Sequence, residues 1–103
     1  MEYNGRGYSV YMIKSFSHKG LKRFFHVGNK SGIITQRAKR LRLIPSNLDQ
    51  AEKIDDMDLP GLELHELKGN RKGIWSVKVS GNWRITFRFV DSNAEIVHYE
   101  DYH

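Results

Sequence analysis

Residues 75–89 read WSVKVSGNWRITFRF, and the period of this stretch decides the fold. Trp75, Val77 and Val79 alternate with Ser76, Lys78 and Ser80. Ser80-Gly81-Asn82 is turn chemistry. Beyond it Trp83, Ile85, Phe87 and Phe89 alternate with Arg84, Thr86 and Arg88. Successive side chains of a strand point to opposite faces, so period two marks a strand buried on one side. The stretch therefore predicts a hairpin with one apolar face and one cationic face.

Working outward, Asp91-Ser92-Asn93 turns the chain again, and residues 94–103 read as a last strand and tail. On the other side, residues 62–68 predict a short strand leading into a Gly69-Asn70-Arg71 turn. Asp55 to Asp58 and Pro60-Gly61 form an acidic turn region with room for one helical turn. Further upstream the period changes to that of a helix. Leu21, Phe24 and Phe25 fall at i, i+3 and i+4, and Gly28 is a natural stop. Thr35 can cap a second helix whose stripe is Ala38, Leu41, Leu48 and Ala51, with Ile44 beside it. Pro45 lacks an N–H and clashes with the carbonyl four residues back, so a kink near Leu41 or a break is expected. Residues 12–16, MIKSF, read as a first strand. The expected class is α+β: N-terminal helices packed on the apolar face of a small antiparallel sheet. The other face stays concave and polar, with Lys78, Arg84 and Arg88 on it.

A chain of 103 residues is read as one domain. Its 39% hydrophobic and 28% charged content fits a globular chain rather than a disordered one. No apolar run is long enough to span a bilayer, and the polar N-terminus lacks the apolar core of a secretory signal. With no cysteine there is no disulfide or thiolate metal site. The expectation is a cytoplasmic protein without a membrane partner. Residues 1–11 differ in composition, with Tyr3, Tyr8 and Tyr11 among Gly5 and Gly7. They read as a leader ahead of a single domain at 12–103, with Met12 as the usual start.

The formal charge of +5 is strongly segregated. Residues 1–48 carry ten Lys/Arg against Glu2, and residues 68–90 carry six Lys/Arg and no acid. Residues 49–67 carry seven acids against Lys53, and residues 91–103 carry four acids. A basic face of this density favours a polyanion partner, although the same charge also serves a solvated surface. The cluster Arg37–Arg42 lies on a helix, but no helix-turn-helix pair accompanies it. No HxxxH or HxH spacing offers a metal centre, and no glycine loop cradles a phosphate. No metal or cofactor is expected.

Cleaving RNA without a metal asks for three groups. One takes the 2′-hydroxyl proton, one stabilises charge on phosphorus, and one protonates the leaving 5′-oxygen. Histidine titrates near neutrality and suits the proton work. His65 sits in LELHELKG, three residues before Lys68, and His103 ends the chain in YEDYH. Asp101 can accept a proton or orient an imidazole, and Tyr102 can stack on a base. Lys68, Arg71, Arg84 and Arg88 can hold phosphates, the arginines through a planar fork. His18 and His26 read as surface residues, and His98 as a packing residue of the last strand. The two tryptophans read as core.

MIKSFSHKGLKRFF (12–25), LELHELKGNRKGIWSVKV (62–79), GNWRITFRF (81–89) and YEDYH (99–103) occur in family order. Through them the chain, from Met12 onward, resembles the HigB-type host-inhibition toxins of the RelE superfamily. The resemblance implies a microbial-ribonuclease-like α+β fold and ribosome-dependent cleavage of mRNA in the decoding site. It also implies neutralisation by a HigA-type antitoxin, with operator DNA met only through that partner. The site positions it implies are His65, Lys68, Arg84, Asp101, Tyr102 and His103. Pro45, and Ile74 where similar toxins often carry tyrosine, depart from the pattern. The assignment requires the last three side chains to fold back onto the middle strands around one phosphate. A non-catalytic single-stranded RNA or ribosome-binding module, or a protein-docking subunit, would use the same charges.

Overall fold

The computed structural model describes residues 13–31, 33 and 35–101, and the leader lies outside them. Helix α1 spans Lys19–Val27 and helix α2 Ala38–Gln50; strands β1 His65–Glu66, β2 Ile74–Ser80, β3 Trp83–Val90 and β4 Asn93–Asp101 follow. The four strands form an antiparallel meander in the order β1-β2-β3-β4. Both helices lie on its apolar face, which is the expected α+β arrangement. Among the described residues no helix is long and apolar enough to cross a membrane.

The core sits between the two layers. Leu21 and Phe24 of α1 and Leu41, Ile44 and Leu48 of α2 meet Val77, Val79, Ile85, Phe87, Val97 and Tyr99 of the sheet. Helix α1 starts at His18, whose Nδ1 accepts the Leu21 N–H at 2.9 Å. It stops at Gly28, whose left-handed φ of 74° lets its N–H reach the Phe24 carbonyl.

Helix α2 departs from expectation at its start, and it is not broken at its proline. Thr35 begins a short 3₁₀ turn, Thr35–Arg37, rather than capping the α-helix directly. The helix runs unbroken through Pro45, which is itself buried. Burial accounts for this. An internal proline costs about 3 kcal/mol, whereas each fully buried leucine or isoleucine contributes roughly 1.5–3 kcal/mol. Leu41, Ile44 and Leu48 are all fully buried. The helix also uses its arginines internally: Arg37 donates to the Tyr99 hydroxyl at 3.1 Å, and Arg40 to the Lys78 carbonyl at 3.2 Å.

Two predicted strands are shorter than their sequence patterns. The described residues of the MIKSF segment, 13–16, make isolated parallel bridges, Ile13 with Ala94 and Phe16 with Val97, and no continuous ladder. The edge it meets is bulged: β3–β4 pairing shifts register between Thr86 and Arg88, where Ile96 adopts a φ of 46°. Ser15 bridges the gap by accepting the Ile96 N–H on its Oγ at 2.7 Å. Within residues 62–68 only His65–Glu66 pair as a strand, because Glu63 at a φ of 50° breaks the extended backbone just before them.

Candidate active site

Direct strand partners share a face, so the register lists what stands on the side away from the helices. One row crosses the sheet as His65, Ser76, Thr86 and His98. The next row is Lys78, Arg84 and Glu100. A third, at the opposite end, holds Ile74, Arg88 and Glu95. The polar face read from the hairpin is therefore real. It carries His65, Lys78 and Arg84 together, with Arg88 four residues and about 13 Å along β3.

His65 enters from β1. Its Nδ1 lies 3.1 Å from the Glu63 carbonyl, which can only accept, so Nδ1 carries the hydrogen. In the neutral ring Nε2 is then the acceptor nitrogen. Lys68 follows at the head of the 3₁₀ turn Gly69–Arg71, and His65, Glu66, Leu67, Lys68 and Arg71 line an open pocket. The Glu66 carboxylate accepts the Gly73 N–H at 2.9 Å and closes the base of this loop. Arg84 lies deeper, with 13% of its side chain exposed and the Glu63 carboxylate 3.8 Å away. Glu63 also accepts from Lys78 Nζ at 3.4 Å.

Arg71 is held in a two-toothed ion pair with Glu100, at 2.8 and 3.0 Å. The guanidinium holds the Glu100 carboxyl below the usual carboxylate range, against an opposing effect of burial. Thr86 Oγ1 lies 3.4 Å from the same carboxylate.

The tail residues divide. Asp101 closes β4 opposite Trp83, so its register position belongs to the helix-side face rather than to the row of Arg84. The carboxylate that register sets in the row of Lys78 and Arg84 is Glu100. Tyr102 and His103 lie outside the described residues.

His98, read as a packing residue of the last strand, packs on the polar face and not in the core. Its neighbours Val97 and Tyr99 enter the core, while His98 stands on the polar face opposite Thr86. Its Nδ1 is buried with no hydrogen-bond partner among the described residues, as is Ser76 Oγ. At the sheet edge the His98 ring approaches His18 at 5.8 Å. Burial, with His98 nearby, pushes His18 below its ordinary value. Ser76, Thr86 and Glu100 escaped the sequence reading. The first two were visible only as small polar residues at period two, and Glu100 only as a neighbour of Asp101.

The comparisons with known proteins agree with this architecture. Residues 14–103 match the family described as the RelE-like toxin of the type II toxin–antitoxin system HigB. The chain belongs to the HigB-like toxin family. It is 47% identical to Endoribonuclease HigB of Proteus vulgaris over 92 residues, covering 89% of this chain and all of that protein. It is 30% identical to Toxin HigB-1 of Vibrio cholerae over 95 residues, covering 81% of this chain and 90% of the relative. As a HigB-like toxin the chain is one half of a type II pair, so an antitoxin partner follows from the family. The matched region takes in His65, Lys68, Arg84 and the whole polar face.

Proposed function

We infer that this HigB-like toxin is a ribosome-dependent endoribonuclease that cuts mRNA in the decoding site. The supporting observation is one face that presents the His65 imidazole, its Nδ1 held on the Glu63 carbonyl, beside Lys68 and two strands from Arg84. The name carried by the Proteus vulgaris relative, an endoribonuclease, points the same way.

In this reading the 2′-hydroxyl attacks its own 3′-phosphate. The P–O bond to the 5′-oxygen breaks and a 2′,3′-cyclic phosphate forms. Lys68 and Arg84, with Arg88 further along the strand, contact phosphate oxygens and stabilise the charge that builds on phosphorus. His65 orients or protonates at the phosphate. His103 takes the 2′-hydroxyl proton, or Asp101 does so by reaching round the end of β4 from its helix-side register position, and His103 or His65 returns one to the leaving oxygen. Tyr102 stacks on a base. Imidazole, carboxylate and cations supply every proton and charge these steps need, so the reading calls for no metal ion. A HigA-type antitoxin neutralises the toxin, and contact with operator DNA runs through that partner.

The test is induction of the chain in growing cells, with 5′ ends of transcripts mapped and the purified protein assayed on mRNA with and without ribosomes. Cuts that need the ribosome are expected. Ribosome binding without cuts would favour a non-catalytic RNA-binding module instead.

A further inference from the structure

The turn that carries Lys68 is exposed from Lys68 to Lys72. Its base is closed by Leu67 N–H to the Ile74 carbonyl at 2.8 Å and Gly73 N–H to Glu66 at 2.9 Å, while the exposed tip has Lys72 N–H to the Gly69 carbonyl at 3.1 Å and a longer bond from Arg71 N–H to the Lys68 carbonyl. Such a turn does not by itself hold a lysine in one place. Yet Arg71 leaves this turn, at one end of the sheet order, and meets Glu100 on the strand at the other end. The pair therefore spans β2 and β3. Beneath it Ser76 and Thr86 are 0% and 2% exposed, although both stand on the face away from the helices. Glu100 is well placed for the task, with only 19% of its side chain exposed and Thr86 Oγ1 beside it. A planar guanidinium gripping a carboxylate at two points fixes orientation as well as distance.

We propose that Glu100 is a positioning residue of the nuclease site: through Arg71 it straps the Gly69–Arg71 turn across the sheet and sets Lys68 and His65 at the distance from Arg84 that the phosphate requires. This deepens the nuclease reading and rests on it. Arg71 then serves the site by holding its own loop, rather than as one of the cations that meet RNA. Glu100→Gln keeps the shape but loses the charge and one acceptor. Arg71→Lys keeps the charge but loses the fork. Displacing a reacting group by about 1 Å can cost up to a hundredfold in rate.

The experiment is steady-state cleavage of ribosome-bound mRNA by the wild type, both single variants and the double variant, with melting curves for each. Expected are a kcat lowered at least about tenfold in each single variant, a KM for the ribosome complex within about twofold, and a nearly unchanged Tm. The double variant should be no slower than the worse single, because both act through one contact. Should Glu100→Gln fail to fold, Arg71→Lys gives the same reading with the carboxylate left in place. Variants that cleave at the wild-type rate overturn the proposal. Faster cleavage or tighter RNA binding also overturns it, because Glu100 would then be masking Arg71. Tm losses with kcat unchanged leave only a structural tie and overturn it as well. A wild type that does not cleave at all brings down the nuclease reading, and this proposal with it.

Discussion

Arg84 and Glu100 are register partners across β3 and β4, yet their side chains diverge. The Glu100 carboxylate turns to Arg71 at 2.8 and 3.0 Å, while the Glu63 carboxylate lies 3.8 Å from Arg84. The two guanidiniums thus meet different carboxylates on the cationic face. The Arg84 contact is long and the Glu63 side chain is 57% exposed. An ion pair of that kind is worth roughly 0–1 kcal/mol. A phosphate offering two oxygens is a stronger partner for the same fork.

Arg84 and Lys68 should therefore behave as phosphate contacts. Arg84→Ala and Lys68→Ala are each expected to weaken RNA binding and to reduce the slope of log K against log salt by about 1. Binding titrations at several salt concentrations measure this. An unchanged slope in either variant removes that residue from the phosphate site.

His65 should matter for rate more than for binding. His65→Ala is expected to slow cleavage by roughly 10²–10⁴-fold, the usual worth of a positioned proton-transfer group. Asp101→Ala and His103→Ala should abolish growth inhibition while leaving the melting temperature near that of the wild type. Full toxicity in both tail variants would remove the tail from the mechanism.

His18 ties the stability of α1 to pH. Its Nδ1 accepts the Leu21 N–H, which a protonated ring cannot do. Burial and His98 push its pKa below the ordinary 6.5. A base with a lowered folded pKa binds fewer protons folded than unfolded, so stability falls as pH drops below about 6.5. His18→Asn keeps a capping acceptor and cannot titrate. Its melting temperature should fall less than that of the wild type between pH 7.5 and 5.5. Parallel curves would exclude His18 as the source. A second loss belongs to Glu100, whose lowered pKa contributes stability that disappears only as pH falls below the ordinary 4.5.

Ile96 is a β-branched residue at a φ of 46° with 45% of its surface exposed. A non-glycine residue held in the left-handed region costs on the order of 1–3 kcal/mol. Removing this partly exposed side chain gives up only part of a full isoleucine's burial. Ile96→Gly is expected to stabilise the protein by about 1 kcal/mol once the chain-entropy cost of glycine is set against the relieved strain. Denaturant titration reads it, and a loss of stability would show that the bulge is held by the side chain.

That bulge marks where reading the sequence stops. From Asn93 to Asp101 a strict alternation would set Ala94, Ile96, His98 and Glu100 on one face. In the structure Ala94, Val97 and Tyr99 enter the core, because the extra residue at Ile96 reverses the parity. His98 and Glu100 thereby reach the polar face. Without the bulge, His98 reads as a packing residue and Glu100 as part of a solvated tail. Pro45 carries the same lesson for helices: a local rule allowed a break there, and the burial of Leu41, Ile44 and Leu48 keeps the helix continuous.

By itself the sequence determined the two-layer class, the hairpin with its cationic back, and the presence of His65, Lys68 and Arg84 on middle elements. These are local matters, written in periods of two and 3.6 and in turn residues. Only the tertiary structure decided which acid meets which cation. Pairing Arg71 with Glu100 joins residues 29 apart in the chain, across two intervening strands. That contact depends on strand order, register and one bulge, and each of these is set by how the whole core packs rather than by any neighbouring pair of residues.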